Sequence, residues 1–152
     1  MARRIPILAI GAFFLSLTAF VAGPPSADAQ QVLGVWTPEE RDSEIEIALC
    51  DDGKICGRII SLTEPLNEEG TEKLDINNRD ESLRGRTIIG LELLTGFAVE
   101  GDTKWTGGRI YNPRDGKTYK STLTQTKDGT LKVRGYVGIP ALGQTQVWSR
   151  VR

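Results

Sequence analysis

The chain has 152 residues, a formal net charge of −1, two cysteines and no histidine. Without histidine, Ser-His and Cys-His nucleophiles, imidazole acid–base work and nearly all catalytic zinc or copper sites are excluded. No paired-carboxylate signature stands in for them, so no enzyme and no cofactor is expected, and the charge balance carries no footprint for nucleic acid or anionic lipid.

In chain order, Arg3-Arg4 form a positive start, Ile5 to Val21 an uncharged apolar run, and Gly23-Pro24-Pro25 a break. Ala27-Asp28-Ala29 then gives a small-x-small cleavage pattern. Residues 1–29 therefore read as a signal peptide, which predicts a periplasmic or secreted product with no membrane span after cleavage. The alternative, an uncleaved anchor, is disfavoured by Pro6, Gly11, Ser16 and Thr18, which dilute the run. Residues 30–152 leave 123 residues for one domain, with 17 basic against 19 acidic side chains.

Leu33 to Trp36 is the first predicted strand. Residues 43–50 alternate Glu44 and Glu46 with Ile45, Ile47 and Leu49, a period of two with one wet face. Residues 54–62 return antiparallel. A three-residue loop at Asp52-Gly53-Lys54 would set Cys50 opposite Cys56, Ile59 opposite Ile47 and Gly57 opposite Leu49. In an oxidising compartment the two cysteines then read as a disulfide staple, at a spacing the bond accepts. A redox-active pair lacks the C-x-x-C and βαβ pattern it would need.

Residues 63–82 show almost no apolar pattern and read as one long loop, uncommon in a small domain unless it has a function. Strands follow over Thr87 to Leu94, Phe97 to Glu100, Lys104 to Tyr111, Lys117 to Thr126, Thr130 to Val137 and Gln144 to Arg150. Turns at Gly101-Asp102, Asn112 to Gly116 and Lys127-Asp128-Gly129 separate them. About eight short strands in a meander predict a closed up-and-down antiparallel β-barrel, since closure removes exposed edges. A two-sheet sandwich is the fallback.

Several segments carry a resemblance: Gly34-Val35-Trp36, the Cys50/Cys56 hairpin into Gly57-Arg58-Ile59-Ile60, Asp75-Ile76-Asn77-Asn78, and Leu83 to Leu91. Trp105 to Pro113, Asp115 to Tyr119, Leu131 to Tyr136 and Gln146 to Arg150 complete it. Together they resemble the bacterial secreted family known as domain of unknown function 2147. The resemblance implies an exported, lipocalin-like barrel and supplies no catalytic residues. Gly34-x-Trp36 with Arg150 is also similar to the pair that closes a lipocalin barrel, a guanidinium over an indole at the floor. Trp148 could take the floor role instead.

Ile45, Ile47, Leu49, Ile59, Ile89, Leu91 and Leu93 are expected to face inward, with an aromatic set from Trp105, Tyr111, Tyr119 and Tyr136 as candidate ligand contacts. Arg84 and Arg86 are candidates for an anion clamp at the mouth, against the plainer reading of a solvated charged rim. Asp75, Asn77 and Asn78 are expected to organise the long loop with side-chain oxygens. A calcium loop would want other residues where Arg79 and Asp80 stand. Gly116-Lys117-Thr118 lacks the upstream glycine of a phosphate loop, since Tyr111 occupies that place. The function expected is binding of a small hydrophobic or amphipathic molecule. The alternative is an envelope interaction or maintenance module with a filled barrel.

Overall fold

A computed structural model describes residues 27–152. The expected signal peptide lies outside the described residues except for its last three positions, which begin helix α1 (Ala27–Val32). Eight strands follow: β1 (Gly34–Thr37), β2 (Ser43–Leu49), β3 (Ile55–Leu62), β4 (Glu92–Gly101), β5 (Lys104–Asn112), β6 (Lys117–Gln125), β7 (Leu131–Tyr136) and β8 (Gln144–Arg150). Each pairs antiparallel with the next, and β8 returns to β1, so the sheet is a closed barrel in sequence order. The β1–β8 seam is extended by the C-terminus: the Val35 N–H donates to the Arg152 carbonyl (2.8 Å), and the Val151 N–H donates to the Val35 carbonyl (2.8 Å).

The barrel has two unlike ends. At one, which we call the floor, lie α1 and the β2–β3, β4–β5 and β6–β7 hairpins. At the other, the mouth, lie residues 38–42, the long loop 63–91, the turn 113–116 and the loop 137–143. Trp36, Ile47, Ile55, Leu94, Phe97, Trp105, Leu123 and Leu131 are fully buried and fill the floor half. Each such side chain contributes about 1.5–3 kcal/mol, so this half alone can anchor the fold. Gly108 is required there by close approach, because a Cβ on it would meet the Phe97 ring at 2.3 Å.

Four sequence expectations need correction. The β2–β3 register is two residues from the expected one: Ile45 faces Ile59, Ile47 faces Gly57, and Cys56 lies across from Ala48. The turn is tightened by the Cys50 N–H donating to the Lys54 carbonyl and the Gly53 N–H to the Cys50 carbonyl. Cys50 and Cys56 are nonetheless disulfide-bonded, diagonally, with Cα atoms 5.6 Å apart. The strand expected from Thr87 begins only at Glu92, since Gly90 (φ 90°) and the Leu91-to-Ile88 turn bond break the extended run. The segment expected at Phe97 to Glu100 is the second part of that same strand. Leu49 and Ile89 are exposed: Leu49 sits at the floor rim and Ile89 in the loop, where alternation no longer selects a face.

Candidate functional site

The upper half of the barrel is not filled. A cavity of about 1310 Å³ reaches from the mouth down to Trp148 and Val133. Ile45, Ile59, Leu93, Ile110 and Val133 form an aliphatic wall, while Tyr119, Tyr136, Gln144 and Gln146 place polar atoms along β6–β8. Strand alternation explains the β8 part of the lining, because Gln144, Gln146 and Trp148 are two apart and share a face. Gln146 is not free for a ligand on its oxygen, which accepts from the Trp148 indole N–H (3.1 Å).

The mouth is shaped by a buried polar knot. Asp75 is fully buried within the long loop. Its Oδ1 accepts from the Tyr111 hydroxyl (2.6 Å), and its Oδ2 accepts from Asn78 Nδ2 (2.8 Å) and Arg86 Nε (2.9 Å), with Arg86 Nη2 in ion-pair contact at 2.8 Å. Asn78 Nδ2 also donates to the Tyr111 oxygen (3.1 Å). The Arg86 guanidinium lies 5.4 Å from the centre of the Tyr111 ring. A carboxylate this deep is tolerable because opposite charge and several donors meet it. Burial, then the Asp75 hydrogen bond and charge, push the Tyr111 hydroxyl above its ordinary value.

A second contact ties the same loop to the β5–β6 turn. Asn77 Nδ2 donates to the Pro113 and Arg114 carbonyls, each at 3.2 Å. Gly116 (φ 66°) lies so close beneath that a Cβ there would meet the Asn77 carbonyl oxygen at 1.8 Å. Tyr119, whose hydroxyl donates to Asp115 (2.5 Å), is held above its ordinary value by that bond first and by burial second. The loop between β3 and β4 is thus pinned at Asp75, Asn77 and Asn78 to β5 and the turn after it.

Of the six candidate ligand contacts, Tyr111, Tyr119 and Tyr136 line the cavity. Trp105 does not: it is buried in the floor half, its indole N–H without a partner. Arg84 and Arg86 do not line the cavity either. Arg86 is occupied by Asp75, and Arg84 Nε donates to the Asn78 carbonyl (2.8 Å) with Nη1 near Glu81 (3.3 Å). The expected anion clamp is therefore corrected to an internal brace. The cationic residues that do border the cavity are Arg41, Lys73 and Arg114. Arg114 is ion-paired with Asp42, and Lys73 Nζ lies 3.6 Å from Glu64.

At the floor, the Arg150 guanidinium lies 4.2 Å from the centre of the Trp36 ring. Arg150 Nη1 donates to the Leu33 carbonyl (2.8 Å) and Nη2 to the Gln31 carbonyl, while the Trp36 indole N–H donates to the Val32 carbonyl (2.8 Å). One pair of side chains thus seats α1 across the floor. Trp148 lines the cavity and takes no part in this seating. Sequence reasoning missed Gln144 and Gln146 as cavity residues, although their alternation with Trp148 along β8 was available as a signal.

Residues 34–150 match a bacterial family model described as "Uncharacterized protein conserved in bacteria (DUF2147)". Among solved structures the chain is similar to protein HP1028 from the human pathogen Helicobacter pylori, described as belonging to the lipocalin family. The identity is 28%, over 79% of this chain and 82% of that one, with a TM-score of 0.68. No curated protein matches the chain. The eight-stranded closed barrel is thus lipocalin-like.

Proposed function

We propose that this chain, which belongs to the bacterial DUF2147 family, is an exported, non-enzymatic binding protein for a small hydrophobic or amphipathic molecule. The observation that carries this reading is the cavity of about 1310 Å³, open at the mouth, which has an aliphatic wall of Ile45, Ile59, Leu93, Ile110 and Val133 and is also bordered by charged and polar side chains, among them Glu40, Asp42, Glu64 and Lys73. Pockets of this kind bury most of a small ligand and orient it through sparse hydrogen bonds. The Gln144 amide would serve the second task and the aliphatic wall of β2–β5 the first. Among the described residues the cationic side chains that border the cavity, Arg41, Lys73 and Arg114, belong to the mouth loops, so the apolar end of the ligand enters first and any charged end stays at the mouth. Export is supported by the Cys50–Cys56 disulfide, a bond that oxidising compartments maintain.

Titration with a long-chain fluorescent amphiphile tests the reading. Trp148 borders the cavity while Trp36 and Trp105 do not, so saturable binding should quench one of three tryptophans, and Trp148→Phe should remove the quench. Ile110→Trp should fill the space and weaken binding at least about tenfold, because the added ring takes the ligand's place. Unchanged affinity in Ile110→Trp, or no binding at tens of micromolar, would remove the proposal.

A further inference from the structure

Several polar side chains that border the cavity are committed within the protein. The Tyr111 and Tyr119 hydroxyls donate to Asp75 and Asp115, and Asn77 Nδ2 donates to the Pro113 and Arg114 carbonyls. Arg114 is ion-paired with Asp42, and Lys73 Nζ lies 3.6 Å from Glu64. Gln146 differs. It is exposed, borders the cavity, and stands on β8 between Gln144 at the mouth and Trp148 at the bottom. On the neighbouring strand it is paired with Val133, another cavity residue.

The amide of Gln146 has one orientation open to it. The Trp148 indole N–H, which can only donate, meets Gln146 Oε1 at 3.1 Å. The oxygen is therefore turned to Trp148, and Nε2 with its two hydrogens is the free end. Among the described residues no protein acceptor meets Nε2. Well inside the barrel the β8 wall thus carries a group that can donate and has no acceptor to spare.

Charge decides which acceptor suits it. Two residues of strand place Gln146 about 7 Å along β8 from Gln144, below the rim. The cations Arg41, Lys73 and Arg114 belong to the mouth loops, where Glu40, Asp42, Glu64 and Asp115 outnumber them. A carboxylate carried down to Gln146 would lose water without gaining a counter-charge, and an ammonium group would bring no acceptor at all. A neutral carbonyl meets both conditions.

We propose that Gln146 determines ligand specificity, its Nε2 donating to an uncharged carbonyl oxygen, so that the cavity takes acyl esters and acyl amides in preference to free fatty acids. This rests on the cavity being the ligand site. In such molecules the carbonyl stands between the chain and the head, as Gln146 stands between Trp148 and the mouth. The chain then lies on the aliphatic wall of Ile45, Ile59 and Leu93, and the head reaches Gln144.

The test is displacement of a bound fluorescent amphiphile by three probes: monolauroylglycerol, the matching dodecyl glyceryl ether that lacks the carbonyl, and laurate at about pH 8, where it is ionised. The native chain should bind the ester about three- to tenfold more tightly than the ether, the worth of one neutral hydrogen bond. It should bind the ester at least about tenfold more tightly than laurate, whose charge must shed water. Gln146→Glu keeps an acceptor for the Trp148 indole and removes the Nε2 donors. Its melting curve should stay native, and the ester's advantage over the ether should vanish. On the native chain itself, the Gln146 side-chain amide resonances should move further with the ester than with the ether. Equal affinity for ester and ether, an advantage that survives in Gln146→Glu, tighter binding of laurate, or amide resonances unmoved by the ester would each overturn the proposal and leave the cavity as a binding site. If the fluorescent amphiphile binds and none of the three displaces it, this proposal alone falls. If nothing binds, the amphiphile included, the binding function falls with it.

Discussion

Arg86→Met tests whether the long loop is held by the Asp75 knot. The substitution keeps much of the side-chain length and removes the Nε–H that donates to Asp75 Oδ2 (2.9 Å) together with the Nη2 ion-pair contact at 2.8 Å. Asp75 stays fully buried, with Tyr111 and Asn78 as remaining side-chain donors. Removing one partner of a buried pair costs about 3–5 kcal/mol. The Arg86 side chain is 38% exposed, so solvent already screens part of the attraction, and a loss of roughly 2–3 kcal/mol is expected. Denaturant unfolding of native protein, Arg86→Met, Asp75→Asn and the double variant measures it. Once the carboxylate is gone there is nothing left to neutralise, so the double variant should recover about 1–2 kcal/mol relative to the sum of the singles. A single-variant loss under about 0.5 kcal/mol, or strict additivity, would refute the reasoning, because it would mean that the carboxylate does not need the guanidinium.

At the floor, Trp36→Ala should destabilise by about 3–5 kcal/mol and Arg150→Lys by about 1–2, since the indole's burial outweighs the cation–π contact; thermal unfolding of both variants checks the order. Reducing Cys50–Cys56 should cost only about 2 kcal/mol, because the closed loop is short, as read from urea curves with and without reductant. The hydroxyls of Tyr111 and Tyr119 are both raised, so the stability they contribute is complete below pH 10 and is lost as pH climbs through their folded values. Absorbance titration should therefore show late ionisation from Tyr111 and Tyr119, and Tyr111→Phe should remove one part of it.

The strand order could be read from the sequence because alternation and turn residues are local properties. Ile45 and Ile47 against Glu44 and Glu46 carry their own orientation, and Asp115-Gly116 or Asp128-Gly129 mark their own turns. The misplaced start of β4 had a local cause too: Thr87-Ile88-Ile89 is a β-branched run, and only the turn closed on Leu91 shows it to be loop. The cavity could not be read. Inward alternation is the same in a filled and a hollow barrel, and the difference lies in whether Val133 and Gly135 leave room across from Ile45 and Ile59. The two arginines were misjudged for a similar reason. Asp75 is eleven residues before Arg86, among other carboxylates, and nothing in the sequence marks it as the one that is buried.

The central claim is that the mouth half holds a ligand, and native mass spectrometry of the chain purified from its own source tests it most directly. The claim predicts a population heavier than the bare chain by a few hundred daltons, in line with a pocket-sized ligand, that returns to the bare mass on collisional activation. It also predicts that Ile110→Trp, prepared in the same way, carries much less of the adduct. A bare chain that also takes up no added long-chain amphiphile in the same instrument would contradict the claim.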